Sequence, residues 1–218
     1  MKKIMIVAAM IIGIISQGCS NEVTDNQNQY SENSMNYQES ITEESLYKLA
    51  YEDLSDAERE SLIFMREEEK LARDVYKTFY EKYNMPIFQN ISNSEQAHTN
   101  AIKYLLNKYS IPDPIVKDVR GVFTNPELQT LYNSLIEQGS VSDIEALKVG
   151  ALIEEVDILD IQSGLQIIDN NDIIFVYNNL RKGSINHLKA FVRNLSFRGY
   201  NYVPVKLSIE EYNSIMNQ

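Results

Sequence analysis

Polar residues stand at core positions in four long helical stripes, and this constrains the fold more than any other feature of the chain. Leu62, Met65, Glu69, Ala72, Tyr76, Phe79 and Tyr83 recur at steps of three and four, the spacing of one helix face, and among the apolar residues stands Glu69. A shorter stripe one residue back, Phe64, Glu68, Leu71 and Val75, puts Glu68 on the flank. Ser55 and Glu58 form the S-x-x-E box that opens this helix, and Pro86 is expected to stop it. The second helix, from about Phe88 to Tyr109, aligns Ile91, Glu95, His98, Ile102, Leu105 and Tyr109. The third begins near Ser142 and stops at Gly164, with Leu147, Gly150, Glu154, Asp157 and Ile161 on its seam and Glu155 on a neighbouring face. The fourth, from about Asn171 to Gly199, aligns Ile173, Tyr177, Leu180, Ser184, His187 and Phe191.

Four such stripes predict an all-α four-helix bundle, and evidence for sheet is slight. About thirty residues, Ser110 to Ser140, link the second and third long helices. Within that link Asn125-Pro126 opens a short helix carrying Leu128, Leu131, Tyr132 and Leu135, closed by Gly139. A connection this long lets the next helix start from the opposite end of the bundle, as in bundles with one long crossover. After Gly199, Tyr200 to Lys206 reads as extended, and Ser208 caps a last short helix expected to pack outside. The organisation expected is a bundle over residues 45–200 and a C-terminal extension over 201–218.

A buried carboxylate without a partner costs several kcal/mol and tends to protonate. Acids on separate helices meeting at one level compensate one another around cations. Two divalent ions carry four positive charges, which Glu69, Glu95, Glu154 and Asp157 would balance, while His98 and His187 add one neutral nitrogen per metal. Residues three apart share a helix face, so Glu95 and His98 can reach one ion, and Glu154 and Asp157 do the same from the third helix. Oxygen-rich sites supplemented by imidazole suit iron or manganese. Glu68 and Glu155 are expected at the surface or behind the ligands. Tyr76, Tyr109 and Tyr177 are expected to pack in the core with a partner for each hydroxyl.

Glu67-Glu68-Glu69-Lys70-Leu71-Ala72-Arg73-Asp74-Val75-Tyr76, Ser94-Glu95-Gln96-Ala97-His98 and Gly183-Ser184-Ile185-Asn186-His187-Leu188 resemble the ferritin-like superfamily of di-iron carboxylate proteins, including rubrerythrins. In texture they are most similar to a bacterial and archaeal ferritin-like family of unknown function. The resemblance covers Ser55 to Gly199. It implies that Glu69 is the first-helix glutamate, that Glu95 and His98 form the second-helix E-x-x-H, and that Glu154 and Asp157 are the third-helix acids. The fourth helix departs from the pattern, because Ser184 stands where a ligand Glu is expected ahead of His187.

Lys2 and Lys3, the apolar run Ile4 to Ile15, and Gly18-Cys19 read as a secretory signal over residues 1–18, too short to span a bilayer as a helix. Its end resembles a lipobox, with Ser16 and Gln17 where Leu and Ala or Ser are more usual. The chain's one cysteine, Cys19, is then the lipidation site, and no disulfide is available within the mature chain. Residues 19–44, rich in Asn, Ser, Gln and Glu, read as a flexible tether. Export and a membrane anchor on the cell or outer membrane follow. A net charge of −11 argues against nucleic-acid binding. Arg66, Lys70 and Arg73 are interleaved with acids and expected on a solvated face.

The leading expectation is a lipid-anchored protein with a di-iron or di-manganese centre that oxidises ferrous iron or reduces peroxide. No C-x-x-C is present, so any reductant is external; a homodimer is compatible with the pattern. The alternative is a surface lipoprotein scaffold in which the seam residues form a vestigial hydrogen-bonded network, as Ser184 favours. A closed storage shell fits a tethered chain least well.

Overall fold

The computed structural model describes Glu44, Leu46 and residues 48–218; the expected signal segment, Cys19 and, apart from Glu44, the tether lie outside them. Among the described residues there are six helices and no strand: α1 (Asp56–Tyr83), α2 (Pro86–Lys108), α3 (Pro126–Gly139), α4 (Asp143–Leu165), α5 (Asn171–Phe197) and α6 (Ile209–Met216). None is long and apolar enough to cross a membrane.

Helix ends follow local chemistry. The Ser55 hydroxyl accepts from the Glu58 N–H at 3.2 Å while the Glu58 carboxylate accepts from the Ser55 N–H at 2.9 Å. Asn125, Ser142 and Ser208 cap α3, α4 and α6 through side-chain oxygens that accept from helix N–H groups. Pro86 does not stop α1. That helix ends at Asn84, which turns left-handed with φ 51°, and Pro86 instead opens α2 in its first turn, where no N–H is missed.

α1 packs on α2 and α4 on α5 as two antiparallel pairs; α1 also meets α4 and α2 meets α5, the packing of a bundle. α3 lies against α1 and α4. The apolar interior falls into two clusters. One gathers Val75, Phe79, Phe88, Leu147, Leu188 and Phe191. The other gathers Leu62, Met65, Ile102, Leu105, Ile161 and Leu180. On every long helix the polar seam residues fall between the two. Close helix approach holds the layer: a Cβ on Gly150 would sit 2.5 Å from the Phe191 ring, so only glycine lets α4 and α5 meet there.

The crossover corrects the expectation of a solvated basic face. Arg66, Lys70 and Arg73 are at most 5% exposed. Arg66 holds Asp113 through two nitrogens at 2.9 and 3.1 Å, and Arg73 pairs with Asp118 and Asp74. Lys70 pairs with Asp74 at 2.5 Å and donates to the carbonyls of Val119 and Val122. Glu67 accepts from the N–H groups of Thr124 and Asn125 at the start of α3. The link is thus strapped along the outer side of α1, which is buried all round from Met65 to Tyr76.

The C-terminal segment is fastened by one buried carboxylate. Glu155 accepts from the Tyr202 hydroxyl at 2.6 Å and from the N–H groups of Val205, Lys206 and Leu207 at 2.6 to 3.1 Å. Glu155 is therefore fully buried, not at the surface, and its acceptor capacity is spent on the backbone of the extension. Tyr212 and Ile215 of α6 then join the apolar interior.

Candidate metal centre

Each long helix delivers its polar residues to one level because their seam spacing matches the helical repeat. Five of the six expected ligands come together there. Glu69, Glu95 and His98 form one group, and Glu95, Glu154 and His187 another, with the candidate ligand atoms of each group within 4.8 Å of one another. All five are buried, and Glu95 belongs to both groups. His98 Nδ1 lies 2.8 Å from one Glu95 oxygen and 3.2 Å from Glu69. His187 Nδ1 lies 2.7 Å from the other Glu95 oxygen and 3.4 Å from Glu154. The imidazole rings stack with centroids 5.5 Å apart.

Asp157 stays outside both groups. It is buried beside them and its Oδ2 accepts from the Ser184 hydroxyl. Ser184 thus stands in the layer as a hydrogen-bond donor to an acid of the facing helix. Tyr76, expected as core, does more: its hydroxyl donates to Glu154 at 2.5 Å. That bond orients the carboxylate toward His187, which in turn meets the Ser94 hydroxyl through Nε2 at 2.9 Å. Tyr109 and Tyr177 find partners in Asp172 and Ser61.

Electrostatics at this level are those of buried acids crowded around two imidazoles. Burial pushes the Glu69 carboxyl up to about 8, against the pull of His98. Burial likewise raises Glu154, and raises Asp157 well above the carboxylate range with help from the charges of Glu69 and Glu154. Burial works on Glu95 as well, but the flanking His187 and His98 hold it below the ordinary range. For the imidazoles burial disfavours the cation, yet Glu95 with Glu69 raises His98 well above its usual value, and Glu95 with Glu154 raises His187 to about 10. In the metal-free protein the histidines themselves serve as the counter-ions.

Hydrogen bonding leaves this arrangement incomplete. Glu69 Oε1 is buried with no hydrogen-bond partner, while Glu95 Oε1 and His187 Nδ1 meet each other at 2.7 Å as an ion pair. A buried carboxylate oxygen without a donor, beside acids and imidazoles that converge from the four long helices, suits a cation. Glu95, with one oxygen toward each imidazole, is placed to bridge two ions. The donor set of carboxylates plus one imidazole per group could hold two metal ions, and nothing in it selects the metal.

Glu68, expected at the surface or behind the ligands, is buried beside the layer at 7% exposure, and Asp160, three residues after Asp157 and not anticipated there, is 4% exposed. Their carboxyls face each other, and burial raises the pKa of both, Glu68 also feeling Asp160 and Asp157. The three-residue step from Asp157 to Asp160 was the available signal; it was masked because Ile161 carries the seam on.

Fold and site together define an all-helical protein whose buried Glu/His groups could bind two metal ions. Residues 58–218 match the family described as an uncharacterized protein domain (DUF2202), and the chain belongs to that family. It is similar to the uncharacterized protein MJ0754 of Methanocaldococcus jannaschii, 53% identical over 174 residues that span 80% of this chain and 94% of the relative. The crystal structure of hypothetical protein MJ0754 from Methanococcus jannaschii superposes with a TM-score of 0.77 at 54% identity, covering 78% of this chain and 97% of that one.

Proposed function

We propose that this is a ferritin-like protein that holds two iron or manganese ions in its buried layer, Glu69, Glu95 and His98 binding one and Glu95, Glu154 and His187 the other. The observation that carries the reading is Glu95, buried and common to both Glu/His groups. Asp157 supplies the fourth negative charge beside the pair. When bound, such ions would supply the redox chemistry needed either to oxidise ferrous iron at the expense of an external oxidant or to reduce peroxide with electrons from an external reductant. The chain's own contribution is to exclude water with the two apolar clusters, to hold Glu154 through Tyr76, and to exchange the protons on Glu69 and the imidazoles for metal. In this reading residues 45–200 are the metal-binding bundle and 201–218 an extension. Cys19 carries a lipid that tethers the exported protein to a membrane, which the N-terminal sequence pattern supports.

Protein expressed with added iron or manganese is expected to retain metal on purification and to melt higher than the metal-free form. Absence of metal together with an unchanged melting temperature on adding Fe or Mn would overturn the reading. Ser184, which closes on Asp157 where a fourth-helix glutamate is expected, favours a second reading as a non-enzymatic scaffold. The double substitution Glu95→Gln with His98→Leu separates the two. A scaffold tolerates or gains from it, whereas a metal site loses its ions.

A further inference from the structure

We propose that Ser94 is a positioning residue for the second Glu/His group, its hydroxyl fixing the His187 ring so that Nδ1 is the nitrogen offered to a metal ion. The role rests on the dinuclear reading and adds to it a residue that belongs to neither Glu/His group.

His187 is the member of the two groups that packing encloses least. It is 8% exposed, whereas Glu69, Glu95, His98 and Glu154 are at most 2% exposed. Asn186 beside it on α5, and Asn93 and Ala97 beside Ser94 on α2, are exposed. A ring at such an edge has freedom that a fully enclosed ring lacks. Half a turn about its Cβ–Cγ bond would exchange Nδ1 for a ring carbon and withdraw the nitrogen from the acids.

Ser94 opposes that turn. Its Oγ meets His187 Nε2 at 2.9 Å, a full hydrogen bond, while Nδ1 on the other side of the ring lies 2.7 Å from Glu95 and 3.4 Å from Glu154. With Nδ1 turned toward carboxylates, or toward an ion held by them, the ring proton that stays is on Nε2, and the Ser94 oxygen accepts it. The same bond therefore sets both the orientation and the tautomer of the ring. Helix geometry puts the serine there: Ser94 precedes Glu95 on α2, about 100° round the helix from it. A helix that aims Glu95 into the layer carries Ser94 to the rim of that layer, where it is half-buried. Tyr76 holds Glu154 by its hydroxyl and Ser94 holds His187, so each ligand of the second group apart from the shared Glu95 is fixed by a hydroxyl from another helix.

The test is equilibrium dialysis of the full chain against MnCl2, joined to imidazole NMR of the metal-free protein. Ser94→Ala is expected to bind one of its two Mn2+ ions about 10- to 100-fold more weakly than the unaltered chain. Ser94→Thr, which keeps the hydroxyl, is expected to restore binding, and circular dichroism checks that both variants are helical. The chain has two histidines in all, so isotope-labelled histidine resolves them. The Nε2–H of His187 is expected to exchange slowly with water in the unaltered chain and in Ser94→Thr, and to be lost to exchange in Ser94→Ala. Mn2+ bound equally by Ser94→Ala and the unaltered chain overturns the positioning role, even where the NMR signal is lost, and leaves the dinuclear reading standing. No Mn2+ bound by the unaltered chain overturns the dinuclear reading and the role of Ser94 with it, so the two failures are distinct.

Discussion

Raising the pH from 6 to 8 is expected to destabilise the metal-free protein and to strengthen metal binding at the same time. Glu69 binds its proton more tightly folded than unfolded, with a folded value of about 8 against 4.5. Its contribution to stability is therefore fully present below 4.5 and is lost as pH rises through 8. Integrating one proton over pH 6 to 8 at 1.4 kcal/mol per unit gives a loss of about 2 kcal/mol. His187 acts in the same direction, since it is raised from 6.5 to about 10 and its stabilisation fades as pH climbs between those values. Glu95 has the opposite sign, but its stabilisation is lost only as pH falls below the ordinary carboxylate range, so it is silent in this window. For a domain of this size a 2 kcal/mol loss lowers Tm by about 4–8 °C. Metal binding must displace these same protons, so the increment in Tm on adding Mn2+ should grow over the interval. Circular-dichroism melts of chelator-treated protein at pH 6 and pH 8, with and without Mn2+, measure both effects. A metal-free Tm that is constant or higher at pH 8 would refute the view that the buried layer is charged through its protons.

Tyr76→Phe removes the hydroxyl that holds Glu154. It should cost about 1–2 kcal/mol in urea denaturation and weaken Mn2+ binding by about tenfold, with helicity unchanged. Glu155→Ala strands the Tyr202 hydroxyl and the N–H groups of residues 205–207. It should lower stability by about 3–5 kcal/mol and expose the chain beyond Phe197 to limited proteolysis, whereas an uncut C-terminus would show that Glu155 is not its fastening.

The local sequence determines a good deal here. Glu69, Glu95, His98, Glu154, Ser184 and His187 were legible because a helix repeats every 3.6 residues, so a polar residue within an apolar stripe must enter the same interior as its neighbours. Helix starts at Ser55, Asn125, Ser142 and Ser208 were legible because each cap is a contact between residues two or three apart. What periodicity assumes is that each helix has one buried face, and α1 and α4 break that assumption. Met65 to Tyr76 and Ala146 to Ile158 are buried on all sides, because the crossover covers one helix and α3 and the C-terminal segment crowd the other. Only that packing decides that Arg66, Lys70 and Arg73 bind the crossover rather than water, that Glu155 clasps the extension, and that Glu68 and Asp160 turn inward. The sequence by itself therefore determined the helices and the polar layer they share. Tertiary structure decided the fate of off-seam charges such as Arg66, Glu67 and Glu155, whose partners lie tens of residues away and are encoded by no local repeat.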